Sequence, residues 1–287
     1  MSATAAQSVP SAPDARRNVS LRLGQLRTVI ALSLRIARQG KRLWILALVA
    51  LLPAVPPLIF LLTSVLFPKE RTFGVGAMEF FKGTIGTVYL HVVLYVLALV
   101  YGLAVISDEV EGKTLVHLLL RPIPRWVVVV GKFLTAWLIT ALLLVGSLTL
   151  TYALSWGVEK DPGAWKHAFA YSNLRILLLD SSVLLFALAA YLAFFTCVGA
   201  WFRHGERFGV VFCFGWESLI TYLPAKLKWL TLKYHVQTLF PHSVATARFF
   251  SLRGKPLSET TCIAILLATI VVFLALAVRS LRRREIR

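Results

Sequence analysis

The chain has 287 residues, of which 58% are hydrophobic and only 15% are charged. A soluble domain is about 45–50% apolar and about 25% charged, so this composition indicates a protein that faces lipid. A net charge of +18 would suggest nucleic-acid binding in a soluble protein, but here it points to anionic lipid and to the cytoplasmic face of a membrane. The three cysteines lie in apolar stretches without metal-ligand spacing, and we expect buried thiols.

The N-terminal region divides into two parts. Residues 1–18 are rich in Ala, Ser and Pro, and we expect them to be disordered. Within residues 19–42, apolar side chains recur at helical spacing from Leu23 to Ala37 with arginines on the flanks, which predicts an amphipathic helix in the membrane interface. An organelle transit peptide is the alternative, because the first forty residues carry Arg, Ser and a single acid, Asp14.

Six apolar stretches predict an all-α, polytopic transmembrane domain over residues 43–280, followed by a basic tail at 281–287. The predicted spans are residues 43–67, 84–106, 126–156, 174–202, 208–223 and 261–278. The first span contains Pro53, Pro56 and Pro57, which predict a kink. Trp126 and Trp156 are expected to anchor the third span at the two interfaces.

The loop over residues 224–260 is expected to hold interfacial helices, with Lys233 on their polar face. His235 and His242 are interpreted as ordinary surface residues of this loop. With six spans, both termini share one side, and nineteen of the 31 Lys and Arg residues fall there. The positive-inside rule therefore predicts cytoplasmic termini.

The most distinctive polar stretch is residues 106–132, between the second and third spans. Its segment Ser107–Thr114, SDEVEGKT, differs from a P-loop only by a serine at the first glycine. A P-loop follows a buried strand and cradles phosphate with backbone amides, whereas this segment follows a membrane helix and carries three carboxylates. We therefore expect no nucleotide binding by this chain. The residues alone leave two interpretations open, an amphipathic docking helix or a solvated charged loop.

A longer pattern in this stretch resembles the cytoplasmic loop of ABC-2 type permeases, the membrane subunits of ATP-binding-cassette exporters. The pattern is carried by Ile106, Glu109, Glu111, Thr114, Leu115, Leu118, Leu119, Pro122, Arg125, Gly131 and Lys132. It is particularly similar to the branch typified by the membrane subunit of the nitrous-oxide-reductase maturation transporter and by gliding-motility permeases. One departure is Gly112-Lys113, where many members have a basic residue followed by glycine.

The resemblance implies a coupling helix between spans 2 and 3 that docks on a separate ATPase. Its docking end would comprise Glu109, Glu111, Thr114 and Leu115, and its apolar face would comprise Leu118 and Leu119. The chain would return to the membrane through Arg121, Pro122 and Arg125. Gly131 and Lys132 would follow at the head of the third span. The resemblance also implies a bacterial inner-membrane permease homodimer, for which Gly205 and Gly209 offer small-residue contacts. No cofactor is expected on this chain, since ATP and Mg would bind the ATPase partner. Membrane lipids are expected as partners, and nucleic acid is not.

Three ionisable residues fall inside predicted spans: His91, Asp180 and Glu217. Buried charge in a membrane is costly unless it is paired or hydrated, so we expect them to line a polar cavity in the outer half of the bilayer. The alternative is that Asp180 caps the fourth span near Arg175 and that Glu217 lies at the outer interface.

The sequence therefore predicts the permease subunit of an exporter and not an enzyme. Two alternatives stay open. One is a membrane anchor or mechanical coupler of an ATPase without a transported solute, and the other is an intramembrane enzyme that uses Asp180, Glu217 or His91. The sequence does not indicate the substrate.

Overall fold

The computed structural model describes residues 24–35, 40–66, 76–111, 124–159, 163–202, 205–217, 231–242 and 257–284. The regular secondary structure in these ranges is helical throughout. The predicted disordered segment 1–18, residues 112–123 of the predicted coupling segment and the last three residues of the basic tail lie outside the described residues.

We number the helices in chain order. They are α1 (24–35), α2 (Lys41–Leu66), α3 (Ala77–Thr84, Ile85–Val93 and Leu94–Glu111), α4 (Arg125–Gly157), α5 (Ala164–Ala168), α6 (Tyr171–Trp201), α7 (Gly205–Val210 and Val211–Trp216), α8 (Leu232–Leu239) and α9 (Glu259–Arg284).

Among the described residues, five helices are long and apolar enough to cross a membrane. They are Lys41–Leu66, Ala77–Ile106, Trp126–Gly157, Tyr171–Trp201 and Glu259–Leu281, and they correspond to five of the six predicted spans. The remaining prediction, residues 208–223, is helical as far as Glu217, and its last six residues lie outside the described part of the chain.

The prolines of the first span interrupt its helix as expected. A 3-10 turn at Leu52–Ala54 separates the α-helical segments Lys41–Leu51 and Val55–Leu66. Pro53 lies at the start of this turn, where its missing N–H cannot continue the α-helical hydrogen bonds. The predicted effect of the prolines is therefore seen as a 3-10 interruption at Pro53.

The centre of the bundle is the packing of α3 against α6, with α7 and α9 alongside. Glycines allow this close approach, because a Cβ atom at Gly102 would meet the Phe195 side chain at 2.6 Å. Gly205 and Gly209 of α7 are also buried, against side chains of α3. Their small size is used within this chain, so they do not provide the dimer contacts that the sequence suggested.

α2, α3 and α4 are joined by buried polar contacts. The Tyr89 hydroxyl on α3 lies 2.8 Å from the Ser147 hydroxyl and 3.0 Å from that of Thr151, both on α4. Ser147 also donates to the backbone carbonyl of Ala50 on α2. Trp126 is 39% exposed, as an interfacial anchor would be, but Trp156 is buried against Tyr152 and does not have that role.

α6 and α9 run in the same direction. Ser280, near the end of α9, donates a hydrogen bond of 2.9 Å to the carbonyl of Ala200, near the end of α6. The chain between these helices must therefore return from the end of α6 to the start of α9. Among the described residues, α7 and α8 lie on this return path.

Two of the described helices, α3 and α7, each contain a π-helical segment. In α3, residues Ile85–Val93 end with a hydrogen bond from the Leu94 N–H to the Tyr89 carbonyl, and in α7, residues Val211–Trp216 end with one from the Glu217 N–H to the Phe212 carbonyl. Each bond spans five residues instead of four, so each segment turns its side chains away from the regular helical positions. His91 lies within the first segment and Glu217 directly follows the second.

Candidate functional site

A lysine and a histidine meet inside the bundle. Lys233, in the first turn of α8, is only 5% exposed, and its Nζ atom lies 2.7 Å from Nε2 of His91 on α3. The ring of His91 also lies near the backbone carbonyls of Gly86 and Thr87, one turn earlier in the π segment. The negative charge of Glu217 lies close enough to interact favourably with the Lys233 ammonium.

Glu217 brings a carboxylate into the same cluster. It is 1% exposed, and its Oε2 atom accepts a hydrogen bond of 3.4 Å from the Tyr95 hydroxyl of α3. The carboxylate also faces the hydroxyl of Tyr191 on α6 and the backbone N–H groups of Leu232 and Lys233. Because a helix N-terminus presents unpaired N–H groups, this end of α8 is a favourable position for a buried carboxylate. We call His91, Tyr95, Tyr191, Glu217 and Lys233 the inner cluster.

A second pair ties the chain beyond α8 to α6. Asp180 is fully buried, and its two carboxylate oxygens lie 2.9 and 3.1 Å from Nε2 of His242. Asp180 is nine residues inside α6, so it does not cap the helix near Arg175 as the alternative interpretation required. We call Asp180 and His242 the outer pair.

The two groups of contacts fix the direction of α8. Its first turn lies beside Tyr191, and His242, just beyond its end, lies beside Asp180. Asp180 lies eleven positions before Tyr191, which is about 16 Å along α6. His242 lies nine positions after Lys233, and the first six of these positions are within α8. α8 therefore runs antiparallel to α6 through part of the bundle.

The depth of the inner cluster differs from the expectation. Tyr191 lies ten residues, about 15 Å, from the end of α6 at Trp201 and about 30 Å from its start at Tyr171. Glu217 packs beside Tyr191, so it lies near the middle of the bundle and not in its outer half. The physical reason is that α8 lies within the bundle and supplies polar partners at that depth.

The structure brings two of the three predicted intramembrane residues into one cluster. Lys233 joins His91 to Glu217, whereas Asp180 belongs to the separate outer pair. The predicted position of Lys233, His235 and His242 on a loop surface is wrong. His235 is 3% exposed and Lys233 5%, and the His242 side chain is 10% exposed. The available signal was an amphipathic pattern, and it could not distinguish a helix lying on the membrane from one buried within the bundle.

Six of the predicted coupling residues lie outside the described part of the chain: Thr114, Leu115, Leu118, Leu119, Arg121 and Pro122. The backbone of α3 continues through Glu111, so Glu109 and Glu111 lie in the last turn of α3 and not in the first turn of a separate docking helix. α4 begins at Arg125, which brings the chain back directly into a long helix.

The predicted head of the third span lies against α1. A Cβ atom at Gly131 would meet Cγ1 of Val29 at 2.9 Å and Cδ1 of Leu26 at 3.4 Å. Gly131 therefore allows the half-buried face of α1 to pack on α4. Lys132 follows within α4 and is half-buried.

The cysteines of this region are buried, as expected from their apolar neighbours. Cys213 lies in the π segment of α7, within electrostatic range of Glu217. Across the described ranges, no group of three or more His, Cys, Asp and Glu side chains is arranged to hold a metal ion.

Long apolar helices around buried charged groups define a multi-pass membrane protein. The sequence model of the ABC-2 family transporter proteins matches residues 27–286. Since this match covers most of the chain, the protein belongs to that family and is a membrane subunit of an ABC transporter rather than an enzyme. Permeases of this family typically work with an ABC ATPase partner. A search of curated proteins found no matching relative.

Proposed function

We propose that this chain is the permease subunit of an ATP-binding-cassette exporter, which couples ATP hydrolysis on a separate ATPase to movement of a substrate across or out of the bacterial inner membrane. The observation that carries the proposal is the family match over residues 27–286. In this arrangement ATP and Mg bind the ATPase, and this chain supplies the membrane pathway. The branch of nitrous-oxide-reductase maturation and gliding-motility permeases is the part of the family in which we place it.

Coupling would occur through the segment between α3 and α4. α3 ends at Glu111 and α4 begins at Arg125, so a partner docked on residues 109–125 would act directly on two long helices. α3 packs closely on α6, which favours transmission of a tilt of α3 to the centre of the bundle. ATP binding would then shift the bundle between inward-facing and outward-facing states.

The full arrangement that we propose has six crossings, cytoplasmic termini and two copies of the chain. The parallel directions of α6 and α9 support a return crossing between them. α1 would lie in the membrane interface, and its exposed Arg27 and Arg35 would face lipid headgroups. The exposed apolar side chains of α2, among them Trp44, Leu48 and Leu62, would face lipid tails or the second copy.

Co-purification tests this function. The chain should be expressed together with the ATPase from its own genome and isolated in detergent, and the ATPase should be retained in a stoichiometric complex. The double substitution Glu109→Ala and Glu111→Ala is expected to reduce retention at least ten-fold. Glu159→Ala, on an exposed glutamate beyond the far end of α4, is the matched control and should retain the partner. Full retention of the ATPase by the double variant would contradict the coupling assignment.

Transport and mechanical coupling are distinguished in the reconstituted complex. A transporter is expected to hydrolyse ATP faster when its substrate is present, whereas a mechanical coupler would show no solute-dependent change. We also place His91, Asp180 and Glu217 on the polar pathway. Replacing Asp180 by Asn and Glu217 by Gln together should then reduce transport, and unchanged transport in a folded double variant would remove them from the pathway.

A further inference from the structure

α8 differs from the spanning helices in its length. Its 8 residues, Leu232–Leu239, extend about 12 Å, whereas the apolar core of a membrane is about 30 Å thick. Nevertheless Lys233, Tyr234, His235 and Val236 are buried. A short helix in this position depends on its side-chain contacts with the spanning helices to stay within the bundle.

Polar contacts hold α8 at both of its ends. At its first turn, Glu217 faces the N–H groups of Leu232 and Lys233, and the Lys233 ammonium contacts His91. Just beyond its last turn, His242 contacts the Asp180 carboxylate. The inner cluster joins α8 to α3, α6 and α7, and the outer pair joins the same segment to α6 alone.

Contacts of this kind can be exchanged for water. A buried contact that involves a charged group gains little net free energy over its separated, hydrated partners, because the attraction is offset by the cost of removing the charge from water. If water enters the bundle, Glu217, His91 and Asp180 can therefore be hydrated when α8 leaves. Water cannot replace the packing of α3 on α6 at Gly102 in the same way, because that packing consists of close apolar contact.

We propose that α8 is a plug that closes the outer half of the bundle and withdraws during the transport cycle, with the inner cluster and the outer pair as its two latches. This inference rests on the proposed function for the cycle and on the predicted orientation for the outer side. Withdrawal of α8 would expose Glu217, Tyr95 and Tyr191 to water from the outside. These groups, together with His91, would then line the outward-facing pathway.

Cys213 offers a native reporter of this motion. It is fully buried in α7 within electrostatic range of Glu217, so its modification by a membrane-impermeant maleimide requires an opening in the bundle. The measurement uses the full-length chain with Cys197 and Cys262 replaced by alanine, and the same chain with Cys213→Ala sets the background. In the complex, we expect trapping of the ATPase with ATP and vanadate to change the rate of Cys213 modification at least ten-fold.

A latch variant tests the plug without the ATPase. Lys233→Met removes the ammonium that contacts His91 and interacts with the Glu217 carboxylate, and we expect Cys213 to be modified at least ten-fold faster in the purified permease. Adding Glu217→Gln removes the remaining charge and should slow the modification again. Lys166→Met, on an exposed lysine of α5, is the matched control. An unchanged rate in a folded Lys233→Met variant overturns the proposal.

A cross-link tests the motion while both latches remain intact. The Thr238 side chain of α8 lies within hydrogen-bonding range of the Cys262 thiol at the start of α9, so Thr238→Cys places two thiols close enough for a disulfide. Oxidation should lower ATP hydrolysis by the reconstituted complex at least ten-fold, and a reductant should restore it. Thr238→Cys combined with Cys262→Ala should not respond to oxidation.

The outcomes separate the two proposals. If the cross-linked complex hydrolyses ATP as fast as the reduced one, the plug is wrong and the transporter function stands. If no ATPase is retained by the chain, the proposed function is wrong, and Cys213 modification in the Lys233→Met permease still decides whether α8 is held by its latches.

Discussion

Gly199 on α6 lies directly against Leu103 on α3, where a Cβ atom at Gly199 would meet the backbone carbonyl oxygen of Leu103 at 2.9 Å and its Cα at 3.2 Å. Backbone atoms cannot move aside as a flexible side chain can, so this contact fixes the distance between the two central helices. The proposed transmission of motion from α3 to the bundle depends on the same contact.

Replacing Gly199 by leucine is expected to separate α3 from α6. Overpacking in a well-packed interior typically costs about 1–3 kcal/mol, and contact with backbone places this site at the upper end or beyond. Thermal unfolding of the detergent-solubilised protein measures the loss. Gly146→Leu is the control, because a Cβ atom there meets nothing within 4 Å. Equal melting temperatures for the two variants would contradict the close contact.

Tyr89→Phe is expected to destabilise the junction of α3 and α4 by about 1 kcal/mol, the usual contribution of a hydrogen bond. The substitution removes the hydroxyl that contacts Ser147 and Thr151 and leaves the ring in place. Melting temperature is again the measurement. Tyr171→Phe, on a side chain that is 83% exposed, should have no effect. An equally large loss of stability in Tyr171→Phe would show that the buried contacts of Tyr89 are not the source of the loss in Tyr89→Phe.

His242→Leu is expected to destabilise the protein by about 3 kcal/mol, because it leaves the buried Asp180 carboxylate without its histidine. Adding Asp180→Asn should recover part of the loss, since an amide is less costly to bury than a carboxylate. A double-mutant cycle on thermal unfolding gives the coupling between the two residues. His167→Leu, on an exposed histidine, provides the comparison. Additive effects of the two substitutions would argue against the outer pair.

Gly131→Leu is expected to displace α1 from α4, because even a Cβ atom at this position meets Val29 at 2.9 Å. Limited digestion with trypsin measures the displacement through cleavage after Arg27 and Arg35, which should become at least several-fold faster. Gly83→Leu should leave the digestion unchanged, since nothing lies within 4 Å of its Cβ position. If both variants are digested at the wild-type rate, α1 is not held by Gly131.

Much of the helical layout could be predicted from hydropathy. Apolar runs of sufficient length gave five helices whose bounds differ from those of the structure by only a few residues, apart from an earlier start of the second at Ala77. The interruption at Pro53 was also predictable, because a proline in a helix interior removes a backbone N–H donor. α8 was not predictable as a buried element, since its amphipathic pattern is equally typical of a helix lying on a membrane surface.

The candidate site was predicted only in part. His91, Asp180 and Glu217 were recognised because ionisable residues are costly in a membrane and therefore stand out in apolar stretches. Their partners were not recognised. Lys233 lies 142 positions from His91, and His242 lies 62 positions from Asp180. Nothing local in the sequence links residues so far apart.

Composition, apolar length and motif spacing are properties of the linear chain, and they were enough to predict a helical membrane protein with an ABC-2 type cytoplasmic pattern. The buried positions of Lys233 and His242, the contact of Glu217 with the first turn of α8, and the packing of Gly205 and Gly209 against α3 depend on how the helices pack together. The physical reason is that a charge inside a membrane needs a partner, and the packing of the helices decides which residue supplies it.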